Sequence, residues 1–220
     1  MGSPTEIERM FIPGPAGPLE ALLEWAPATA PAAAALLCHP HPQYGGNMHN
    51  KVVHRAAKAA LGSGLPALRF NFRGAGGSAG SFDNGAGEQE DARAALDYLV
   101  SRFPRLPVCL IGFSFGAWVG LAVGASDPHV AALAGLGVPA GVLDFSFLRG
   151  VQKPKLFVQG TRDQFGPPAE VAALFQSLAA PKQIHWVEGG DHFFTGKLDE
   201  LENVLCRFMA LHLISPFQGW

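Results

Sequence analysis

Short apolar runs alternate along this chain with longer segments in which apolar residues recur every three or four positions. Residues 33–38, 108–111 and 155–159 are runs of the first kind, and residues 50–61 and 197–213 are segments of the second. Apolar runs without a strict apolar–polar alternation are typical of strands buried on both faces of a parallel sheet. The pattern therefore predicts an α/β fold with a mostly parallel central sheet and helices on both faces.

An N-terminal antiparallel hairpin is predicted ahead of this repeating part. Residues 6–12 and 19–25 flank a turn sequence rich in Pro and Gly at positions 13–18. The remaining strands are expected at 67–72, 131–136 and 183–187, and the remaining helices at 88–103, from near Ser114, and from Pro167-Pro168.

Composition limits the class of protein. The chain has 220 residues, which suits a single α/β domain spanning 1–220. Its formal net charge is −2 and it has no basic run, so no nucleic-acid partner is expected. No apolar stretch reaches the roughly 18 residues of a membrane helix. The N-terminal sequence MGSPTEIERM has no basic segment followed by an apolar one, so a cytoplasmic location is expected.

Two segments and the cysteines complete this survey. The Ala- and Pro-rich residues 26–35 indicate an exposed connector that runs into a strand, and the apolar tail 214–220 either folds back onto the core or covers a partner. Cys38, Cys109 and Cys206 are widely spaced in apolar runs, without a CxxC pair. We therefore expect three buried free thiols.

A serine motif lies at the end of one predicted strand. Residues 112–116 read Gly-Phe-Ser-Phe-Gly, a G-x-S-x-G pattern between an apolar strand and a helix of small residues. A tight strand-to-helix turn needs small neighbours, and it would lift the Ser114 hydroxyl above the sheet as a nucleophile. In the alternative interpretation, Ser114 is only the N-cap of the helix.

This motif and its context resemble the α/β hydrolases, and the resemblance extends over nearly the whole chain. That family carries a triad in the chain order serine, acid, histidine. The acid follows a late strand, and the histidine precedes the last helix. The resemblance implies that Asp163, in Gly-Thr-Arg-Asp, is the acid and that His192, in Gly-Gly-Asp-His-Phe, is the base. Such an acid holds the imidazole tautomer, and the imidazole moves the serine proton.

Other assignments remain open for these positions. Asp163 could be a solvated loop charge, and His192 a surface histidine. Asp144 is the competing acid, because some relatives place the acid after the preceding strand. Asp191 is interpreted as a residue that shapes the loop. Structural roles are expected for His54, His129, His185 and His212.

The loop after the first parallel strand is expected to help form an oxyanion hole. Many α/β hydrolases have His-Gly there and donate the next N–H. This chain has His39-Pro40, so the matching donor is the His41 N–H, paired with the N–H of Phe115 after the nucleophile. The string His-Pro-His-Pro, with Gly-Gly-Asn-Met and Asn-Lys-Val after it, resembles a small, capless subgroup that is esterase- and dienelactone-hydrolase-like.

Two rival binding sites involve neighbouring residues. His39 and His41, with His49 and His54 nearby, could suggest a metal site, but they lack a recognisable ligand spacing. The glycine-rich residues 73–78 follow a strand, but no Walker lysine follows them, so a structural loop is favoured over a phosphate site. We expect Arg73 to hold neighbouring carbonyls or a carboxylate. No metal and no cofactor are expected.

Aromatic residues around the motif are candidates for the walls of an acyl pocket. They are Phe113, Phe115, Trp118, Phe193 and Phe194, of which Phe113 and Trp118 could equally belong to the core. No insertion is long enough for a cap domain, so we expect an open site for small or flexible acyl groups.

The resemblance implies a serine hydrolase that cleaves carboxylic esters or thioesters through an acyl-enzyme on Ser114. The expected partner is a small-molecule acyl ester, and homodimer formation is left open. A peptidase, an amidase or an acyltransferase could use the same triad, since fold and triad do not separate these reactions. A non-catalytic binding protein with the same fold is the other alternative.

Overall fold

The structure is a computed structural model that describes residues 5–27 and 30–214. Eight strands form one sheet in the order β1-β2-β4-β3-β5-β6-β7-β8. The strands are β1 (Glu6–Ile12), β2 (Leu19–Trp25), β3 (Ala34–Cys38), β4 (Ala67–Phe70), β5 (Val108–Phe113), β6 (Val130–Leu136), β7 (Lys155–Gly160) and β8 (Lys182–Val187). The helices are α1 (Lys51–Gly62), α2 (Ala86–Arg102), α3 (Phe115–Ser126), α4 (Pro168–Ser177) and α5 (Leu198–Met209).

The N-terminal hairpin is formed as predicted. β1 and β2 pair antiparallel, with Glu6 opposite Trp25 and Ile12 opposite Leu19. β2 then pairs antiparallel with β4, and every further pair in the sheet is parallel. This confirms the predicted α/β class, a mostly parallel sheet that carries an antiparallel N-terminal hairpin.

The sheet separates two hydrophobic clusters. Successive side chains of β3 point to opposite faces, so Leu36 packs with α2 and α3 while Leu37 packs with α1 and α5. Val171 of α4 belongs to the same face as α2 and α3. Because both faces are covered, the strand residues are apolar on both sides, which is the pattern that the sequence shows.

Several element ends differ from their predicted positions. β4 ends at Phe70 rather than at residue 72, and β5 extends through Phe113. α2 begins at Ala86, two residues before Glu88, because the Glu88 carboxylate accepts the Gly85 N–H and caps the helix. The final helix ends at Met209, and residues 210–214 form a π-helical segment.

The cysteine prediction is partly wrong. Cys38 and Cys109 are buried free thiols, and burial raises the pKa of the Cys109 thiol to about 12. Cys206 is only half-buried, because it lies near the edge of the α5 face that packs on α1. Beyond residue 214, the predicted C-terminal tail lies outside the described residues. Positions 28 and 29 of the predicted connector lie outside them as well.

Short connections surround the C-terminal ends of the strands. Between β6 and β7 the described chain holds only the 3₁₀ turn Ser146–Leu148. The edge of the sheet that carries the predicted site residues is therefore open. None of the helices in the described part of the chain combines the length and hydropathy that crossing a membrane requires.

Candidate active site

Ser114 lies on a strained turn between β5 and α3. Its backbone adopts φ 56° and ψ −122°, which is rare for a residue with a side chain. A Cβ atom at Gly112 would overlap the backbone at residues 116–117, and one at Gly116 would overlap the carbonyls that follow β3. Ser114 occupies the N-cap position of α3, but its hydroxyl forms no capping hydrogen bond, so capping the helix is not the role of this side chain.

The structure brings Ser114, His192 and Asp163 into one hydrogen-bonded chain. His192 Nε2 is 2.9 Å from Ser114 Oγ, and His192 Nδ1 is 2.8 Å from Asp163 Oδ2. Because a carboxylate only accepts, Nδ1 carries the proton and Nε2 is free to accept the Ser114 proton. The histidine and the carboxylate are buried, whereas the serine is half-exposed.

Backbone and side-chain donors hold the Asp163 carboxylate. Oδ1 accepts the Phe165 N–H at 2.9 Å and the Gly166 N–H at 3.2 Å, and Oδ2 accepts the Gln159 amide at 2.9 Å. Gln159 is fully buried at the end of β7, and its Oε1 accepts the Val138 N–H. Gln159 was not among the predicted site residues. The sequence feature that could have indicated it is a polar side chain inside an apolar run.

Three phenyl rings surround the imidazole of His192. The ring centroids of Phe165, Phe113 and Phe193 lie 4.7, 5.1 and 5.2 Å from it. Phe165 and Phe193 also stand at the open edge of the site, where their side chains are partly exposed. Together with the rest of the site, the three rings leave His192 only 3% exposed to solvent.

The competing acids have other partners. The Asp144 carboxylate is exposed and accepts hydrogen bonds from the Ser146 hydroxyl and N–H, which lower its pKa. Asp191 accepts the N–H groups of Phe193 and Thr195, which also lower its pKa. Asp191 therefore shapes the histidine loop, as the sequence analysis expected.

The remaining candidate histidines do not join the site. His185 pairs with Glu200 at 2.8 Å, and His129 contacts Asp127 at 3.1 Å. His54 lies on the exposed side of α1.

His39 is a buried structural residue. Its Nε2 accepts the Phe72 N–H at 2.9 Å, and its Nδ1 donates to the Pro40 carbonyl at 2.6 Å. Burial lowers the pKa of His39 to about 4, so the ring is neutral near pH 7. Both ring nitrogens are thus used within the protein. In residues 5–27 and 30–214, no three His, Cys, Asp or Glu side chains are grouped as metal ligands.

His41 stands at the start of a 3₁₀ turn beside the serine. Its Nδ1 accepts the Gln43 N–H, and its carbonyl accepts the N–H groups of Tyr44 and Gly46. The His41 N–H itself has no acceptor in the part of the chain that the structure describes. Phe115 is the first residue of α3, where helix N–H groups lack an intrahelical acceptor.

A cavity of about 710 Å³ opens above Ser114 and His192. Five rings form one side of it, and successive centroids along them lie 4.6 to 5.9 Å apart. We call this set, made of Tyr44, His41, Phe82, Phe115 and Trp118, the aromatic wall.

The aromatic residues proposed for the pocket divide into two groups. Phe115, Trp118 and Phe193 line the cavity, as predicted. Phe113 and Phe194 do not line it and are buried in the cluster beneath α1 and α5, so the prediction for Phe194 is wrong. Phe194 has φ 53°, and this turn sends its side chain to the side of the chain opposite to Phe193.

The loops next to the site are tied together by polar side chains. Asn71 accepts the Met48 N–H at 2.8 Å, and Arg69 donates to the Met48 carbonyl at 3.0 Å. These bonds fix the Gly-Gly-Asn-Met segment against the end of β4. Arg73 pairs with the buried carboxylate of Asp91 at 2.8 Å, which is the kind of partner that the sequence analysis expected for it.

Residues 32–203 match the model of a family described as an alpha/beta hydrolase domain. The chain belongs to this family. Among curated proteins, an uncharacterised protein of Rickettsia prowazekii is similar. It is 39% identical over 212 residues, with 91% of this chain and 88% of that protein covered.

Solved structures of the alpha/beta hydrolase family support the same assignment. An alpha-beta serine hydrolase homologue from Coxiella burnetii is 38% identical, with a TM-score of 0.86, and the match covers 91% of this chain and 96% of that one. An α/β serine hydrolase without a lid from Xanthomonas campestris is 37% identical, with a TM-score of 0.88 and coverages of 98% and 99%. The fold thus agrees with a member of the family that has no lid.

Proposed function

We propose that this chain is a serine hydrolase that cleaves carboxylic esters or thioesters of small or flexible acyl groups. The observation that carries the proposal is the hydrogen-bonded chain Asp163–His192–Ser114 at the base of an open cavity. The two related structures described as serine hydrolases support it.

The proposed reaction has two halves. Ser114 Oγ attacks the carbonyl carbon while His192 Nε2 takes its proton, and a tetrahedral oxyanion forms. The C–O or C–S bond to the leaving group then breaks, and the imidazolium gives its proton to the departing oxygen or sulfur. Water attacks the acyl-enzyme by the same route and releases the acid. Asp163 keeps Nδ1 protonated and stabilises the imidazolium throughout.

The oxyanion is assigned to two backbone donors. The Phe115 N–H lies at the positive end of α3, and the His41 N–H enters from the loop after β3. Pro40 and Pro42 flank His41 and carry no N–H, so this loop segment offers a single donor to the substrate. Both donor residues line the cavity that holds Ser114.

A fluorophosphonate probe tests the proposal directly. The intact protein is weighed after treatment, beside Ser114→Ala as the matched control. We expect one adduct on the native protein and none on the variant. A folded native protein that forms no adduct would contradict the proposal and favour a binding protein with this fold.

A panel of substrates then tests the reaction class. Esters, thioesters, anilides and peptides are offered in parallel, with and without an added alcohol as acyl acceptor. We expect cleavage of esters or thioesters with water as acceptor. Preferred cleavage of amides, or preferred transfer to the alcohol, would replace the assigned activity.

A further inference from the structure

The lining of the cavity above Ser114 has an unusual charge distribution. None of the described residues that line it is Asp, Glu, Lys or Arg. Its polar groups are amides, hydroxyls and two histidines, and the rest of its surface is aromatic or aliphatic. A site that binds a charged substrate group in a partly dry cavity needs an opposite charge to offset the loss of hydration. This cavity offers none from its own lining.

The two histidines of the lining do not supply a positive charge before the reaction starts. His192 Nδ1 donates to Asp163, and Nε2 must be unprotonated to accept from Ser114. Burial lowers the pKa of His41, against an opposing effect of the Glu88 carboxylate. Its Nδ1 also accepts the Gln43 N–H. In this hydrogen-bonding pattern the lining carries no formal charge before the reaction starts.

Charged side chains also lie just outside the lining. Glu88 is fully buried near His41 and accepts the Gly85 N–H, and Asp163 lies behind His192. Both are negative and would oppose an anionic substrate. Lys51 is exposed at the rim, with Nζ 5.8 Å from the centroid of the Phe193 ring, where water screens its charge.

The chemistry of the triad indicates which side of the cavity holds the alcohol portion of the substrate and which side holds the acyl portion. The imidazolium of His192 must reach the leaving oxygen, so the alcohol portion lies on the side of Phe165 and Phe193. The acyl portion then points to the opposite side, along Phe115 and Trp118. Trp118 Nε1 donates to the Asp144 carbonyl at 2.9 Å. This bond brings the loop that carries Leu143 beside the wall.

We propose that the acyl portion of the substrate is uncharged and apolar, and that it packs between the aromatic wall and Leu143. This inference rests on the proposed function and narrows it. It excludes acyl groups that end in a carboxylate, because none of the described lining residues is a Lys or Arg that could pair with it. An ammonium group is disfavoured as well, because the rings of the wall offer it a cation–π contact but no carboxylate of the described residues lines the cavity.

Three matched esters test the proposal on the native protein. p-Nitrophenyl hexanoate, the mono-p-nitrophenyl ester of adipic acid and p-nitrophenyl 6-aminohexanoate share one chain length and differ in a terminal methyl, carboxylate or ammonium group. We expect kcat/KM to fall by about 100-fold or more for the adipate ester, since an unpaired charge in a cavity is costly. The fall for the ammonium ester should be smaller, about 10-fold, because the rings of the wall partly stabilise a cation. Charged esters cleaved within about threefold of the hexanoate would overturn the proposal and leave the hydrolase function standing.

Three variants locate the acyl end. Leu143→Arg places a cation beside the wall, and Leu143→Gln is the control of similar length without the charge. We expect Leu143→Arg to cleave the adipate ester about 10-fold better than Leu143→Gln does, through a new charge pair. Lys51→Ala removes the cation at the rim of the cavity. We expect no change in the ratios of kcat/KM between the three esters. A large change in those ratios would move the acyl end to the Phe193 side and overturn the assignment.

Binding to Ser114→Ala separates this proposal from the proposed function. Calorimetry with the hexanoate and adipate esters measures recognition without chemistry. Binding of the hexanoate ester alone supports the inference, and equal binding of both overturns it. If the native protein cleaves none of the esters and forms no fluorophosphonate adduct, the hydrolase function fails, and this binding measurement still decides the charge preference.

Discussion

The side-chain amide of Gln159 donates to Asp163 Oδ2, the same oxygen that faces His192 Nδ1. It also donates to the Gly166 carbonyl at 3.0 Å, while Oε1 accepts the Val138 N–H at 2.7 Å. All three bonds are buried. Gln159 therefore joins the acid loop to the loop after β6 and fixes the angle at which the carboxylate meets the imidazole.

We predict that Gln159→Met lowers kcat for ester cleavage by about 10-fold or more while KM changes little, because the variant perturbs the triad rather than the cavity. The free energy of unfolding should fall by about 2–3 kcal/mol, since buried partners are left without hydrogen bonds. Steady-state kinetics and urea unfolding measure both. The control is Gln176→Met on the exposed side of α4. A variant that loses stability but keeps kcat would show a purely structural role.

A proline can replace His41 at its observed φ and would remove its N–H. His41 has φ −53°, which proline adopts readily. We predict that His41→Pro folds and loses about 10² to 10³ in kcat, because one oxyanion donor is lost. His41→Ala keeps the N–H and loses only the ring, so it is the matched control. If the two variants have equal activity, the second oxyanion donor is not the His41 N–H.

Arg73 and Asp91 form a buried ion pair beneath the loop of residues 73–78. Asp91 Oδ1 lies 2.8 Å from Arg73 Nη2, and Oδ2 accepts the Arg73 N–H at 2.9 Å. Hydrogen bonding to Asp91 raises the pKa of Arg73, so the guanidinium stays charged. We predict that Asp91→Asn lowers the free energy of unfolding by about 3 kcal/mol, because a buried cation loses its main partner.

Glu90 provides the control for this prediction. Its side chain is 61% exposed and lies 3.4 Å from the same guanidinium. Glu90→Gln should change the free energy of unfolding by less than about 1 kcal/mol, as is usual for exposed pairs. If urea unfolding shows similar losses in the free energy of unfolding for both variants, then burial does not make the Asp91 pair more stabilising than the exposed Glu90 pair.

Much of the fold could be predicted because its signals are local. The hairpin bounds followed from a turn sequence between two strand-like runs, and the strand-to-helix turn followed from Gly112 and Gly116, where larger residues would clash. The start of α2 was misplaced because its cap comes from Glu88, three residues inside the helix. That signal was present in the sequence, but Gly85 is a weaker marker of a helix start than Ser, Thr or Asp.

The cavity could not be predicted to the same degree because distant loops form it. Phe82, Trp118 and Phe165 line it from three separate segments, and their spacing along the chain has no period. Phe193 and Phe194 are neighbours in sequence, yet one lines the cavity and the other is buried in the core. Phe194 adopts a left-handed backbone conformation that nothing in the spacing of these residues indicates.

His39 should make stability depend on pH. Its folded pKa, lowered by burial to about 4, is below the ordinary value of 6.5. Between about pH 4 and 6.5 His39 is protonated in the unfolded chain but not in the folded chain. The free energy of unfolding therefore rises with pH across this window and falls on acidification. The full difference corresponds to about 3 kcal/mol. Protonation would also remove the acceptor for the Phe72 N–H.

Urea unfolding of the native protein and of His39→Gln at several pH values between 4 and 7 tests this prediction. Burial also lowers the pKa of His41, His54 and His212, which therefore add to the native slope in the same direction. The slope of the free energy of unfolding against pH is compared between the native protein and His39→Gln, and the difference between the two slopes is the contribution of His39. It should approach one proton near pH 5. Parallel curves for native protein and His39→Gln would show that His39 titrates alike in both states.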